Sequence, residues 1–178
     1  MYKEIIKFWF EDIRQTQWWK KDVQFDQLIA SRFINIHGQA SRCELNQWRE
    51  TAEGRLAEII VLDQFSRNIY RETPLSFATD SMALALAQEA IRSGADKAVP
   101  EAMRSFFYMP FMHSESAAIH EEAVLLYEAY GNEGNLNFEL RHKAIIDRFG
   151  RYPHRNEILG RDSTAAEIEF LSQPGSSF

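Results

Sequence analysis

Apolar residues in this sequence recur at helical intervals almost throughout, and no stretch shows the strict alternation of a half-buried strand. Phe25, Leu28, Ile29, Phe33 and Ile36 follow the i, i+3, i+4 rule behind Asp22, whose carboxylate suits an N-cap. A second stripe runs through Leu56, Ile59, Ile60 and Asp63. From about Thr79 to Arg92 the spacing predicts an alanine-rich helix with a small face at Ala83, Ala87 and Ala90, stopped by Gly94. Pro100 suits a first helical turn. Pro110 has no N–H and crowds the carbonyl four residues back, so that helix is expected to end near Met109. Ser114 is expected to cap a long helix to about Tyr130, with Ile119, Ala123, Leu126 and Tyr130 on one side. After Gly131-Asn-Glu-Gly-Asn135 the helical pattern resumes through Phe138, Ile145 and Phe149. Thr164-Ala-Ala-Glu167 reads as a capping box opening a last helix. The pattern predicts an all-α chain of about eight or nine helices stacked as helical hairpins, with a single domain over 1–172 and a polar tail over 173–178.

Bulk properties narrow the functional classes. The chain has 178 residues, 45% of them hydrophobic, enough for one substantial core. Cys43 is the sole cysteine, which excludes a disulfide framework or a cysteine metal cluster and suits a reducing, cytoplasmic setting. The first residues, MYKEIIKFWFEDIRQ, mix charges among apolar residues as a secretory leader does not. The longest apolar run, FFYMPFM at 106–112, falls far short of the roughly 18 residues of a membrane helix, so no membrane partner is expected. A formal charge of −6 argues against nucleic acid as a partner. The motifs of nucleotide folds, serine hydrolases and zincins do not occur, and no cofactor is expected.

Chemistry-bearing residues fall on faces that should be buried. Asp63 shares the stripe of Leu56, Ile59 and Ile60, where an unpartnered carboxylate is costly. Arg67 and Arg71 lie in local reach, and the arginines of 148–161 could arrive through the fold. His142 shares a face with Phe138, Ile145, Ile146 and Phe149, where it is either a satisfied core histidine or a proton carrier. His113-Ser114-Glu115 stands at the mouth of a helix, with Glu115 placed to favour its dipole. His113, His120, His142 and Glu115 carry metal-ligating atoms, but their spacing matches no ligand pattern, and no metal is expected.

The window from Arg141 to Arg161 is the basic exception in an acidic chain. It carries a formal charge of +4, leaving −10 on the rest. Gly150 lets the chain turn and Pro153 breaks the helix. His154, Arg155 and Asn156 then open a short turn ending at Gly160. Backbone N–H groups with guanidinium forks nearby suit a phosphate or carboxylate. Exposed pairs would stabilise by only about 0–1 kcal/mol each, but the chain holds 26 acidic residues and a buried Asp63 demands partners, so an internal ion-pair network is the competing account. Asp63-Gln-Phe65-Ser-Arg67 also echoes Asp147-Arg-Phe149-Gly-Arg151, a short match that chance explains more readily than duplication.

Several of these stretches together resemble a known family. FWF at 8–10, LDQFSRNIYR, F-A-T-D at 77–80, FFYMPFMHSE, RFGRYPHRN and LGRDST are similar, in order and over essentially the whole chain, to a bacterial family catalogued as domain of unknown function 924. The resemblance implies an all-helical, tetratricopeptide-repeat-like α-α superhelix and brings no established activity. Its signature segments fall on Asp63, Gln64, Phe65, Arg67 and Asn68, on His113 to Glu115, and on Arg148 to Asn156.

Two functions follow as expectations. One is a central polar cluster binding a small anionic ligand, a phosphate or carboxylate, through Arg67, Asn68, Arg148, Arg151, Arg155 and Asn156. His113, Glu115, Asp63 or His142 would be its acid or base, and whether it catalyses anything is left open. The other is a tetratricopeptide-like module that binds a protein or peptide partner without catalysis, through a groove that could include Trp18, Trp19 or Trp48.

Overall fold

Helix α1, Tyr2–Lys7, widens into a π-helical turn over Phe8–Asp12, which sets Phe8 and Trp9 into the core. A computed structural model describes residues 1–131 and 133–176, and among these the secondary structure is helical, with no strand. The described chain divides into two compact units, Met1–Arg71 with Leu75–Pro110, and Glu72–Pro74 with the residues from Phe111 onward.

In the first unit, the Asp22 carboxylate accepts from the amides of Gln24 and Phe25 and starts α2, Val23–Ser41. Its buried stripe is Phe25, Ile29, Phe33, His37 and Ala40, whereas Leu28 faces solvent. Phe33 packs on Phe8 and Phe65 with ring centroids 4.9 and 5.0 Å apart. Helix α3, Ala52–Ile60, passes into a second π-helical turn, Val61–Phe65, and then α4, Ser66–Ile69. Helix α5, Asp80–Arg92, packs on α3 and on this turn, with Ala83, Ala87 and Ala90 fully buried. Gly94, at φ 77°, follows its end as expected.

Helix α6, Glu101–Met112, begins in the first unit and does not stop at Met109 but runs through Pro110. A proline so near the C-terminus removes one ladder bond, and burial of Phe111 and Met112 offsets that loss.

In the second unit α7, Ala117–Tyr130, and α8, Glu133–Phe149, pack together as a helical hairpin. Ser114 does not cap α7; Ser116 holds the N-cap position, and its side chain makes no capping bond. The buried faces match the expected ones in part: Ala123 on α7 and His142, Ile145 and Ile146 on α8 are buried as predicted, whereas Ile119, Leu126 and Tyr130 give way to His120 and Tyr127, and Phe138 to Glu139. The two faces thus carry His120, Ala123 and Tyr127 on α7, and Glu139, His142, Ile145 and Ile146 on α8. Phe138 is 55% exposed. These shifts accompany the pairing of two polar side chains, His120 and Glu139, inside the hairpin, which apolar periodicity does not anticipate.

Gly150, at φ 68°, ends α8 with its amide on the Ile146 carbonyl at 2.8 Å. Ile145, Ile146 and Tyr152 form a core joined by Phe149 and Phe170. The capping box forms as expected and opens α9, Ala165–Leu171. In the tail Ser176 is buried and donates to the Leu171 carbonyl, while Ser177 and Phe178 lie outside the described residues. Among the described residues no helix is long and apolar enough to cross a membrane.

Candidate functional site

The first unit gathers its polar residues around the π-helical turn. A wider turn shifts carbonyls out of the ordinary helical ladder, and here side chains supply donors. The Leu62 carbonyl accepts from Ser66 Oγ and Thr79 Oγ1, each at 2.6 Å. The Asp63 carbonyl accepts from Arg67 Nη1 at 2.7 Å. Asp63 itself is 1% exposed; Gln64 Nε2 donates to its Oδ2 at 2.6 Å, and Arg67 Nη1 lies 3.1 Å from its Oδ1. The same guanidinium meets Asp80 through two bonds of 3.0 and 3.1 Å.

Asn68 donates to Asp26, the carboxylate that also holds Arg71. On the other side of the turn His37 Nε2 lies 2.7 Å from Ser66 Oγ, and burial lowers the His37 pKa. This His37–Ser66–Thr79 network escapes sequence reading because its members sit on two helices and the residue before a third.

The second unit brings the arginine window against two glutamates. Arg151 grips Glu167 through bonds of 2.7 and 2.8 Å and also donates to the Asp162 carbonyl. Arg161 grips Glu115 through bonds of 2.7 and 2.9 Å, and Glu115 Oε1 receives the Tyr152 amide at 2.8 Å. Asn156, fully buried, accepts from Arg161 Nε and donates to Ser163 Oγ. Arg155 is buried, donates to the His113 carbonyl at 3.0 Å and lies over the Tyr152 ring at 4.6 Å. Arg148 faces solvent and stacks on Phe149.

The echo between the two D-x-F-x-R stretches therefore has no common geometry. Asp63 is buried with Arg67, whereas Asp147 is exposed and pairs with Lys143.

Electrostatics follow these partners. Burial pushes the Glu115 carboxyl up, but the Arg161 hydrogen bonds, the Tyr152 amide and the charges of Arg155 and Arg161 prevail and hold it below the usual range. Glu167 is held well below that range, chiefly by Arg151.

Tyr152 is the hub of an imidazole cluster. Its ring stands edge-on to His120 and His142 at 6.3 and 5.8 Å and lies 5.5 Å from His154, and its hydroxyl donates to the Met112 carbonyl. His142 donates from Nδ1 to the Phe138 carbonyl at 2.8 Å. Burial, reinforced by the nearby His113, His120 and His154, lowers its pKa to about 3. His113 and His154 are both half-buried. Among the described residues no three His, Cys, Asp or Glu side chains are grouped to hold a metal ion.

The chain matches the family described as bacterial protein of unknown function (DUF924) over residues 5–175. It is also similar to a solved structure of a protein of unknown function from Agrobacterium tumefaciens. The two share 42% identity over 96% of each chain, with a TM-score of 0.91. No curated protein matches it.

Proposed function

The chain belongs to the bacterial DUF924 family, and from that premise we propose that its second unit binds a small anion, a phosphate or carboxylate, at the corner around Tyr152. The observation that carries this reading is the buried Arg155 guanidinium over the Tyr152 ring, with half-buried His154 against the same ring and Arg155 also donating to the backbone carbonyl of half-buried His113. A guanidinium beside imidazoles gives directional donors to an anion without loss of charge at neutral pH. Arg151, Arg161 and Asn156 hold the corner in shape through Glu167, Glu115 and Ser163. Arg148, exposed beside it in sequence, adds positive potential. In the first unit Arg67 and Asn68 hold the π-helical turn, with Asp63 as its buried anchor.

The test is a thermal-shift series with inorganic phosphate and with phosphorylated and carboxylated metabolites, run on the native chain, His113→Ala, His154→Ala and Arg151→Ala. Binding at the corner predicts a ligand-induced rise in Tm that both histidine variants lose. Arg151→Ala lowers Tm without ligand. A rise that survives in both histidine variants refutes the site.

A second reading, peptide binding by a tetratricopeptide-like module, is favoured by Trp19, which is 63% exposed beside Trp18 and Phe106. A Trp19→Ala change that abolishes a fluorescence-detected peptide interaction would favour it.

A further inference from the structure

The anion-binding corner leaves one buried ionisable pair unused. His120 on α7 and Glu139 on α8 are both 0% exposed, and Nδ1 of the one lies 2.6 Å from Oε1 of the other. The protons can be placed by elimination. His120 Nε2 faces the Ser114 carbonyl at 2.9 Å. A carbonyl only accepts, so Nε2 carries a proton. The Tyr152 hydroxyl, 3.2 Å from the same nitrogen, directs its own proton to the Met112 carbonyl and leaves its oxygen to accept as well. At 2.6 Å, Nδ1 and Oε1 must share a second proton, because two lone pairs at that distance repel. The pair is then neutral as a whole, either imidazolium with carboxylate or imidazole with carboxylic acid.

Glu139 Oε2 separates these alternatives, because it is buried and has no hydrogen-bond partner. A carboxylate would leave a large share of its charge on that bare oxygen, whereas an acid donating through Oε1 leaves only a carbonyl oxygen there. We infer that Glu139 is a protonated carboxylic acid donating to an uncharged His120, a neutral proton-holding latch that joins α7 to α8 and fails in alkali.

The surroundings agree. Lys143, one turn along α8, is engaged by Glu121 and Asp147. The other titratable or charged groups on this side are His142 on α8, Tyr152, His154 and Arg155 at the corner, and His113 and Glu115 before α7. Glu115 is taken up by Arg161 and the Tyr152 amide, and none of these groups donates to Glu139 Oε2 to hold it as a carboxylate. Burial raises the Glu139 carboxyl above its usual value, against the smaller opposing effects of His120 and Lys143. A raised folded-state value means the latch contributes fully below the ordinary carboxylate range and loses its contribution as pH climbs through that raised value.

Side-chain nitrogen NMR of the whole chain at neutral pH tests the inference. His120 is expected to show a protonated Nε2 and an unprotonated Nδ1, and a protonated-carboxyl infrared band is expected to vanish in Glu139→Gln. A doubly protonated ring, or a band that persists in Glu139→Gln, overturns it. Stability gives an independent reading, because a glutamine amide can donate to Nδ1 as the acid does. Glu139→Gln should keep Tm at neutral pH within about 2 °C of the native chain and lose the alkaline decline, while Glu139→Ala falls clearly below both. If Glu139→Gln falls as far as Glu139→Ala, the pair is ionic and the inference fails.

Discussion

Arg151 and Glu167 make a two-point ion pair, and the same carboxylate receives the Thr164 amide that opens α9. One glutamate thus fastens the arginine corner to a helix start, and the corner's geometry depends on a capping motif downstream. The Arg161–Glu115 pair does the same for the segment ahead of α7, through the Tyr152 amide.

Thr164→Ala removes the hydroxyl that accepts the Glu167 amide and should cost about 1 kcal/mol, the usual value of an N-cap. Glu167→Gln should cost more, since it also halves the grip of Arg151. Because Glu167 and Glu115 are both held below the ordinary carboxylate range, the stability they contribute is present above that range and lost as pH falls through their folded values. Denaturant titration at neutral and acidic pH should show a shallower acid loss in Glu167→Gln than in the native chain.

The π-helical turn makes a parallel claim on the first unit. Ser66→Ala deprives His37 Nε2 of its buried hydroxyl partner, while the Leu62 carbonyl keeps Thr79 Oγ1 as a donor. It should destabilise by about 1–3 kcal/mol, the cost of leaving a buried polar group unsatisfied. Asp63→Ala removes a carboxylate that is buried beside Arg67 and should cost about 3 kcal/mol, near the low end for a broken buried pair because Asp80 still holds the guanidinium. Urea-induced unfolding of both variants checks the order.

Gly54 is a sharper steric case. A Cβ there would stand 2.0 Å from the Trp48 carbonyl oxygen and 2.8 Å from its carbon, both backbone atoms that cannot step aside. Gly54→Ala should therefore cost about 3 kcal/mol or more, beyond ordinary overpacking. Gly150→Ala, which meets nothing within 4 Å, should cost only about 1 kcal/mol for its left-handed backbone. Thermal unfolding of the two variants should separate them clearly.

How far the sequence reaches depends on how local the determining interaction is. The Asp22 cap, the alanine face of α5 and the Thr164 capping box rest on residues within a turn of one another, and each forms as its spacing predicts. Spacing turns Ala123, His142, Ile145 and Ile146 inward correctly but misses His120 and Glu139, because these two pair across the hairpin and hydropathy counts both as outward-facing. Pro110 misleads because its penalty depends on how much helix follows, which only the buried Phe111 and Met112 reveal. Asp63 is legible as a buried carboxylate, but the π-helical turn that exposes its carbonyl to Arg67 leaves no mark in residue spacing. At the corner the arginines are visible in the sequence. Their partners Glu115 and Glu167 lie 46 residues from Arg161 and 16 from Arg151 respectively, too far for a local pattern to match.

His142 supplies the last prediction, on acid sensitivity. Its folded-state pKa lies near 3 against an ordinary 6.5, so the folded chain resists a proton that the unfolded chain takes up readily. A lowered histidine value contributes stability above about pH 6.5 and loses it as pH falls toward 3, a window well above that of Glu167. The full loss amounts to several kcal/mol, since each tenfold weakening of proton affinity is worth about 1.4 kcal/mol. His142→Gln keeps a donor for the Phe138 carbonyl but cannot titrate. It should therefore start somewhat less stable at neutral pH and show a flatter profile between about pH 6 and 4. Measuring Tm across that interval for both chains decides the matter: parallel profiles would mean that another group carries the acid response.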